Sequence, residues 1–472
     1  YNKNCCDRLL SFPPLPPVTS PASPVDSSRA FPGFDGQHPP DPKLIDACVH
    51  CGFCLATCPS YRVLGTEMDS PRGRIYLMDG IQEGQIPLNP TIAQHFDTCL
   101  GCLACVTTCP SGVQYDRLIA ATRPQVERQV PRSLPLQALR QLIFTIFPYP
   151  DRLRLLLRPL GLYQRSGLQA WLRKSGLFKL LPAQVTAMEA LLPPVADQAF
   201  QESFGPEAVD QDKAIVLPAQ GERRYRVGMV LGCVQRLFNP EVNSATLRVL
   251  AANGCEVVIP KSQGCCGALT HHQGQEQQTQ ALARDMIDCF QDQALDAVLI
   301  NASGCGHSLK EYGEILKDDD RYGEKAQTFA AQVKDVQEFL ATVGLTAPLH
   351  PLADSPVTIA YQDACHMIHG QKIYFQPRQL LRQIPEVSLR EPIDGGLCCG
   401  SAGVYNILQP EIAAELGQQK VKNLLNTGAD LIASANIGCF VQISHHLEKQ
   451  GKTLPVLHPM QLLDRSIRGE FL

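Results

Sequence analysis

The sequence predicts a mixed α+β and α/β architecture: a cysteine-rich helical domain, a basic helical linker, then two pseudo-repeated α/β domains. Three observations carry this. A twelve-residue cysteine motif occurs twice, as CVHCGFCLATCP at 48–59 and CLGCLACVTTCP at 99–110, with each of its four cysteines displaced by 51 residues. A longer repeat returns Cys233, Cys265, Cys266 and Cys305 as Cys365, Cys398, Cys399 and Cys439, at offsets of 132, 133, 133 and 134. Around these cysteines strand-like and helix-like segments alternate, which is the pattern of parallel sheets.

Length and charge narrow the function classes. A chain of 472 residues fits about three domains. A net charge of −4 speaks against a general nucleic-acid binder, and no nucleic-acid partner is expected. No apolar run approaches the roughly 18–20 residues of a membrane span. The opening YNKNCCDRLLSF has none of the apolar stretch of a secretory leader, so a reducing, cytoplasmic setting is expected. There, twenty cysteines in tight groups read as metal ligands rather than disulfides.

Residues 1–42, rich in Pro and Ser, are expected to form a disordered tail in which Cys5 and Cys6 are incidental. Residues 43–125 carry the paired motif. Residues 126–222 form the linker, where ten basic residues over 128–188 face one acid, Asp151. Its RLRLLLRPLGL stretch interleaves Arg and Leu as an interfacial helix does, so the linker meets a membrane or a partner subunit. Residues 223–345 and 346–472 are the two repeats. YRVGMVLGCV predicts a buried strand ending at Cys233, EVNSATLRVLAANG a helix and CEVVIP a strand. DAVLINASGC then predicts a strand delivering Cys305. The second copy offers VTIAYQDAC, a helical QPRQLLRQI, a helix through ELGQQKVKNLLNTG, and ADLIASANIGC. All four lone cysteines then lie beyond strand C-termini, where parallel sheets place their sites.

CxxCxxCxxxCP has a specific chemistry. Three closely spaced thiolates cap three corners of one cubane, and the fourth, before proline, serves the other cluster of a two-cluster ferredoxin-like domain. One [4Fe–4S] cluster is therefore expected on Cys48, Cys51, Cys54 and Cys109, and a second on Cys99, Cys102, Cys105 and Cys58. Structural zinc needs only four thiolates in a tetrahedron and leaves the third close cysteine unexplained.

The paired cysteines of QGCCGALT and GLCCGSAG suit two metal corners of one centre. Gly267 and Gly400 would give inorganic sulfide room beside backbone N–H groups. Cys233 with Cys305, and Cys365 with Cys439, complete four thiols per half, for one or two further iron–sulfur clusters. Zinc, a redox-active vicinal pair or buried structural thiols are the alternatives at this point. No GxGxxG follows a strand, so neither flavin nor nicotinamide is expected on this chain. His366 and His369, directly after Cys365, are the candidates for proton handling.

With CVHCGFCLATCPSYRVLG, the following SPRGRIYLM at 70–78 and two CCG repeats, the chain resembles the iron–sulfur subunit of bacterial glycolate oxidase. That subunit lies within the broader heterodisulfide-reductase-like CCG family, with relatives in lactate utilisation and anaerobic glycerol-3-phosphate oxidation. The resemblance implies an electron-transfer subunit of a 2-hydroxyacid dehydrogenase. An FAD-containing subunit oxidises glycolate, and electrons leave toward a membrane quinone or another acceptor. It also implies a chain that does not oxidise substrate alone, peripheral on the cytoplasmic face of the membrane. One departure bears on mechanism. Ala302 and Asn436 stand where the heterodisulfide reductase catalytic subunit has a fifth cysteine, so disulfide or quinone reduction at the CCG site itself is the second reading. A zinc-bearing scaffold is the third.

Overall fold

A computed structural model describes residues 31–177, 181–192, 204–205 and 207–472. Cys5, Cys6 and the Pro/Ser-rich stretch up to residue 30 lie outside these, as does Lys179 of the basic linker. Residues 31–42 run counter to the expectation of a disordered tail. Asp35 accepts hydrogen bonds from Arg128 Nε and Nη2 at 2.8 Å each and from Gln125 Nε2 at 3.0 Å, and those partners fix the segment.

The N-terminal part is helical. Prolines preset the first turns of Pro59–Leu64, Pro71–Gln82 and Pro90–Asp97, and the Ser70 and Asn89 side chains cap the latter two. These helices and Tyr115–Gln129 close a core of Ile75, Met78, Phe96, Leu118 and Val126, in which Cys99 and Cys105 take part. Among the described residues the linker then forms helices Leu134–Ile146, Pro150–Arg165, Leu168–Ser175 and Ala183–Ala190.

Among the described residues, ten strands make two sheets. The first comprises β1 (Val209–Asp210), β2 (Ala214–Leu217), β3 (Tyr225–Val230), β4 (Cys255–Pro260), β5 (Ala297–Ile300) and β6 (Val333–Asp335), in the order β1-β2-β4-β3-β5-β6. The second comprises β7 (Val357–Gln362), β8 (Val387–Arg390), β9 (Leu431–Ser434) and β10 (Val456–Leu457), in the order β10-β9-β7-β8. Strands β4-β3-β5-β6 and β8-β7-β9-β10 are both parallel and follow one topology, so the cysteine repeat is a repeat of fold. β1 and β2 add an antiparallel edge to the first copy only.

The halves are not separate bodies. One hydrophobic cluster runs from Leu217, Met229 and Val257 of the first through Ile359, Tyr361 and Leu463 of the second. Helix Pro459–Arg468 lies against helix Pro240–Ala252, where Asp464 accepts from Arg248 Nη2 at 2.7 Å.

Candidate metal centres

The two CxxCxxC loops share a backbone. In the first, His50 (φ 53°) and Gly52 (φ 84°) are left-handed. In the second, Gly101 (φ 63°) and Leu103 (φ 64°) occupy the same two motif positions. Cys58 (ψ 114°) and Cys109 (ψ 115°) both adopt the extended conformation that a following proline imposes. Cys48, Cys51, Cys54 and Cys109 line one cavity together with Cys105 of the second loop, and Cys51 is exposed. Cys58 instead joins the electrostatic surroundings of Cys99, Cys102 and Cys105. Cys58 and Cys109 thus each lie toward the loop of the other motif.

The SPRGRIYLM segment serves both loops. Arg72 donates to the His50 carbonyl at 3.0 Å and to Glu67 at 2.8 Å. Two residues on, Arg74 is fully buried and donates to His95 O at 2.5 Å and to Ser60 Oγ and Thr98 Oγ1 at 3.0 Å each. Its charge faces Cys99 and Cys58. Burial pushes the Cys99 thiol up, but Arg74 and Arg123 outweigh it, helped by the Tyr115 hydroxyl at 3.6 Å and Gly101 N–H at 3.4 Å, so its pKa falls. Cys102 and Cys105 have no such cation, and burial raises both well above the ordinary thiol value. In the first loop, burial likewise pushes Cys54 up to about 11.

The CCG halves each present a chain of four thiols in matching order. Cys233 lies 3.3 Å from Cys265, which hydrogen-bonds Cys266, which hydrogen-bonds Cys305. In the second half Cys365 meets Cys398, Cys398 meets Cys399, and Cys399 lies 3.3 Å from Cys439. Cys233 and Cys365 follow β3 and β7 by three residues. Cys305 and Cys439 are not strand residues as expected. β5 and β9 stop at Ile300 and Ser434, and these thiols sit in the first turns of helices Ser303–Lys310 and Ile437–Lys449. The strands end where Asn301 and Ala435 turn the chain into those helices.

The two glycines also have a backbone role. Gly267 and Gly400 are left-handed (φ 78° and 88°), and a Cβ on Gly400 would fall 2.6 Å from the Ala413 carbonyl oxygen. Their lack of a side chain permits the turn and, at Gly400, the approach of helix Pro410–Leu425. Gly267 N–H does donate to Cys265 Sγ, at 3.3 Å.

All eight CCG cysteines and Cys102 line one cavity of about 210 Å³, closed by Leu100, Phe147, Met188 and Leu191. The second loop is therefore docked on the second CCG set. Cys102 and Cys398 lie in each other's field, Tyr405 donates to Thr98 O at 3.0 Å, and His366 Nε2 donates to Gly101 O at 2.8 Å. His369 Nδ1 pairs with Thr107 Oγ1 at 2.7 Å. Burial lowers the pKa of both histidines. The His366 ring also lies 4.8 Å from those of His272, tilted, and His307, edge-on, an imidazole array assembled from distant segments that no local spacing signals. Equally hidden in sequence is Lys420, fully buried, donating to Gly395 O at 2.6 Å and lowering Cys439 electrostatically against a larger upward push from Cys399 and burial.

The donor set fits iron–sulfur clusters. Thiols are gathered in fours, backbone N–H groups aim at sulfur, and buried cations offset negative charge. All eighteen described cysteines are free thiols.

Comparison with known proteins agrees. The model of a 4Fe–4S dicluster domain matches residues 44–113, that of the glycolate oxidase iron–sulfur subunit linker region matches 135–192, and that of a cysteine-rich domain matches 227–310 and 359–444. The chain is 37% identical over 407 residues to the probable glycolate oxidase iron–sulfur subunit of Bacillus subtilis, covering 86% of this chain and 89% of the relative. It is 35% identical over 432 residues to the glycolate oxidase iron–sulfur subunit of Escherichia coli, covering 91% and 95%. Lactate utilization protein A of Shouchella clausii is 30% identical over 238 residues, 50% of this chain and 98% of that one. On these matches, spanning its dicluster, linker and cysteine-rich regions in order, the chain belongs to the glycolate oxidase iron–sulfur subunit family.

Proposed function

We propose that this chain is the electron-transfer subunit of a flavin-dependent 2-hydroxyacid dehydrogenase acting on glycolate. The observation that carries the reading is the succession of four thiol sets through one chain. The first set adjoins the second through Cys54 and Cys58, the second adjoins the third through Cys102 and Cys398, and the third shares its cavity with the fourth. In this reading Cys48, Cys51, Cys54 and Cys109 hold one [4Fe–4S] cluster, and Cys99, Cys102, Cys105 and Cys58 hold a second. The CCG sets hold one further iron–sulfur cluster each. Such clusters, when bound, supply one-electron transfer.

The chain's own residues do the rest. Arg74 and Lys420 offset thiolate charge, the apolar lining at Leu100, Phe147, Met188 and Leu191 excludes water, and His366 and His369 hold the second loop in place and handle protons beside it. Electrons enter at the first set, where Cys51 is exposed among Val49, Phe53 and Tyr76, which are 67%, 64% and 59% exposed. That apolar rim is the docking face for the flavoprotein subunit. They leave from the CCG cavity to a membrane quinone.

The test is anaerobic purification of the chain alone and with its flavoprotein partner. Iron and acid-labile sulfide are expected, with the clusters reduced by glycolate only in the complex. Zinc in their place, or reduction of the lone chain by glycolate, overturns the reading.

A further inference from the structure

Helix Pro150–Arg165 is apolar on two opposite sides. Its inner stripe, Leu153, Leu157 and Gly161, is buried, and Leu153 and Leu157 pack on Leu237, four residues beyond Cys233. Its outer stripe carries Leu155 and Leu162, 66% and 71% exposed, with Leu156 and Pro159 between them. The next helix, Leu168–Ser175, buries no residue and presents Leu168 and Trp171, the latter 60% exposed. The inner stripe is covered, whereas the outer one is left uncovered among the described residues.

The charges around this face are mostly positive. Over 150–175 there are six cations and one acid, Asp151, which already accepts from Arg154 at 3.0 Å. Arg173 is taken by Glu189. Arg158 and Lys174, both exposed, pair with no described carboxylate, and Arg152 spends its guanidinium on the Thr145 carbonyl and the Tyr149 ring. Leucines and an indole ringed by unneutralised cations match the interface of a bilayer with negative headgroups.

We propose that the outer face of helices Pro150–Arg165 and Leu168–Ser175 docks this chain onto an anionic lipid surface, with Leu155, Leu162 and Trp171 entering the interface and Arg158 and Lys174 meeting headgroups. The face lies one helix thickness, about 10 Å, from the Leu237 side of the first CCG half. The same linker closes the cysteine cavity with Phe147 and Met188. A lipid-soluble acceptor is thereby met next to the last thiol set. The inference adds to the proposed quinone acceptor without depending on it, because lipid binding is read without turnover.

Trp171 is the only tryptophan of the sequence, so its emission reports on this face alone. The full chain, purified anaerobically, is titrated with vesicles of phosphatidylglycerol mixed with phosphatidylcholine, or of phosphatidylcholine alone. A blue shift of Trp171 emission and co-sedimentation are expected with the anionic vesicles, both weakened by salt. R158E/K174E is expected to weaken partition roughly tenfold or more. L155S/L162S, with surface positions that leave the fold intact, is expected to abolish the shift while iron content stays unchanged. Absence of shift and sedimentation with anionic vesicles overturns the proposal. So does a shift produced by the flavoprotein subunit and by no vesicle, which assigns the face to a protein partner instead.

Discussion

Asn436 donates its side-chain amide to the Cys439 thiol at 3.4 Å, while its side-chain oxygen accepts the Gly304 N–H of the other half at 3.3 Å. The residue that stands in place of a fifth cysteine thus ties the two CCG sets together. Its counterpart Ala302 can do neither. Asn436→Ala is expected to lower the reduction potential of the centre in the second half, leaving the first unchanged, and to cost about 1 kcal/mol of stability. Stepwise reduction followed by EPR, with a denaturation curve, checks both. A potential unchanged in both halves rules out the thiol contact as a tuning bond.

The paired glycines are expected to differ in tolerance. At Gly400 an alanine suffers both the left-handed backbone and a 2.6 Å contact with Ala413 O, whereas at Gly267 the nearest atom is the Thr279 methyl at 3.4 Å. Gly267→Ala should cost about 1–2 kcal/mol from backbone strain. Gly400→Ala should cost more and empty the second half of iron. Iron per chain, measured for each variant beside wild type, separates the two.

Arg74 is expected to set the potential of the centre on Cys99, Cys102, Cys105 and Cys58. A buried cation favours the reduced, more negative state, so Arg74→Gln should lower the potential by about 1–2 kcal/mol, with roughly 59 mV per tenfold change for one electron. Arg74→Lys should recover part of it. A redox titration that finds all three proteins alike removes Arg74 from this role.

The rim of the first cavity is testable apart from metal. Phe53→Glu with Val49→Glu should weaken association with the flavoprotein subunit by tenfold or more, since exposed apolar anchors carry interface energy. Iron content should not change, and analytical gel filtration of the mixed subunits reads the result.

His458 supplies a pH dependence. Its Nδ1 accepts from Met460 N–H at 3.1 Å and its Nε2 donates to Asn301 O at 2.8 Å, so the buried ring is held neutral and its pKa is lowered to about 4. The unfolded chain protonates near 6.5. Between those values the unfolded state binds the extra proton, so stability is full above about 6.5 and declines as pH falls toward 4, by at most about 3 kcal/mol from this group. His458→Asn keeps a helix cap and removes the titration. Its denaturation midpoint should vary less with pH over that window than that of wild type.

How much of this could be read from the chain follows from sequence distance. The cysteine groups, β4 at CEVVIP and the shared topology were legible because each is written in a few consecutive residues or in a constant offset. The first-turn placement of Cys305 and Cys439 was not, since NASGC and ANIGC read equally as strand or helix start. Nothing in the local sequence distinguishes Arg74 and Lys420 from ordinary helix cations, and only tertiary packing buries them. The ring cluster of His272, His307 and His366 joins segments up to 94 residues apart, and periodicity carries no signal over such a span.

The contact of helix Pro459–Arg468 with helix Pro240–Ala252 sets an order of events in the cell. More than two hundred residues separate these partners, and the core around Met229 and Leu463 closes only when both are present. While the ribosome is still making the second half, the first half's thiols have a sheet but an open floor. A chain that ends before residue 459 is therefore expected to leave this shared core open.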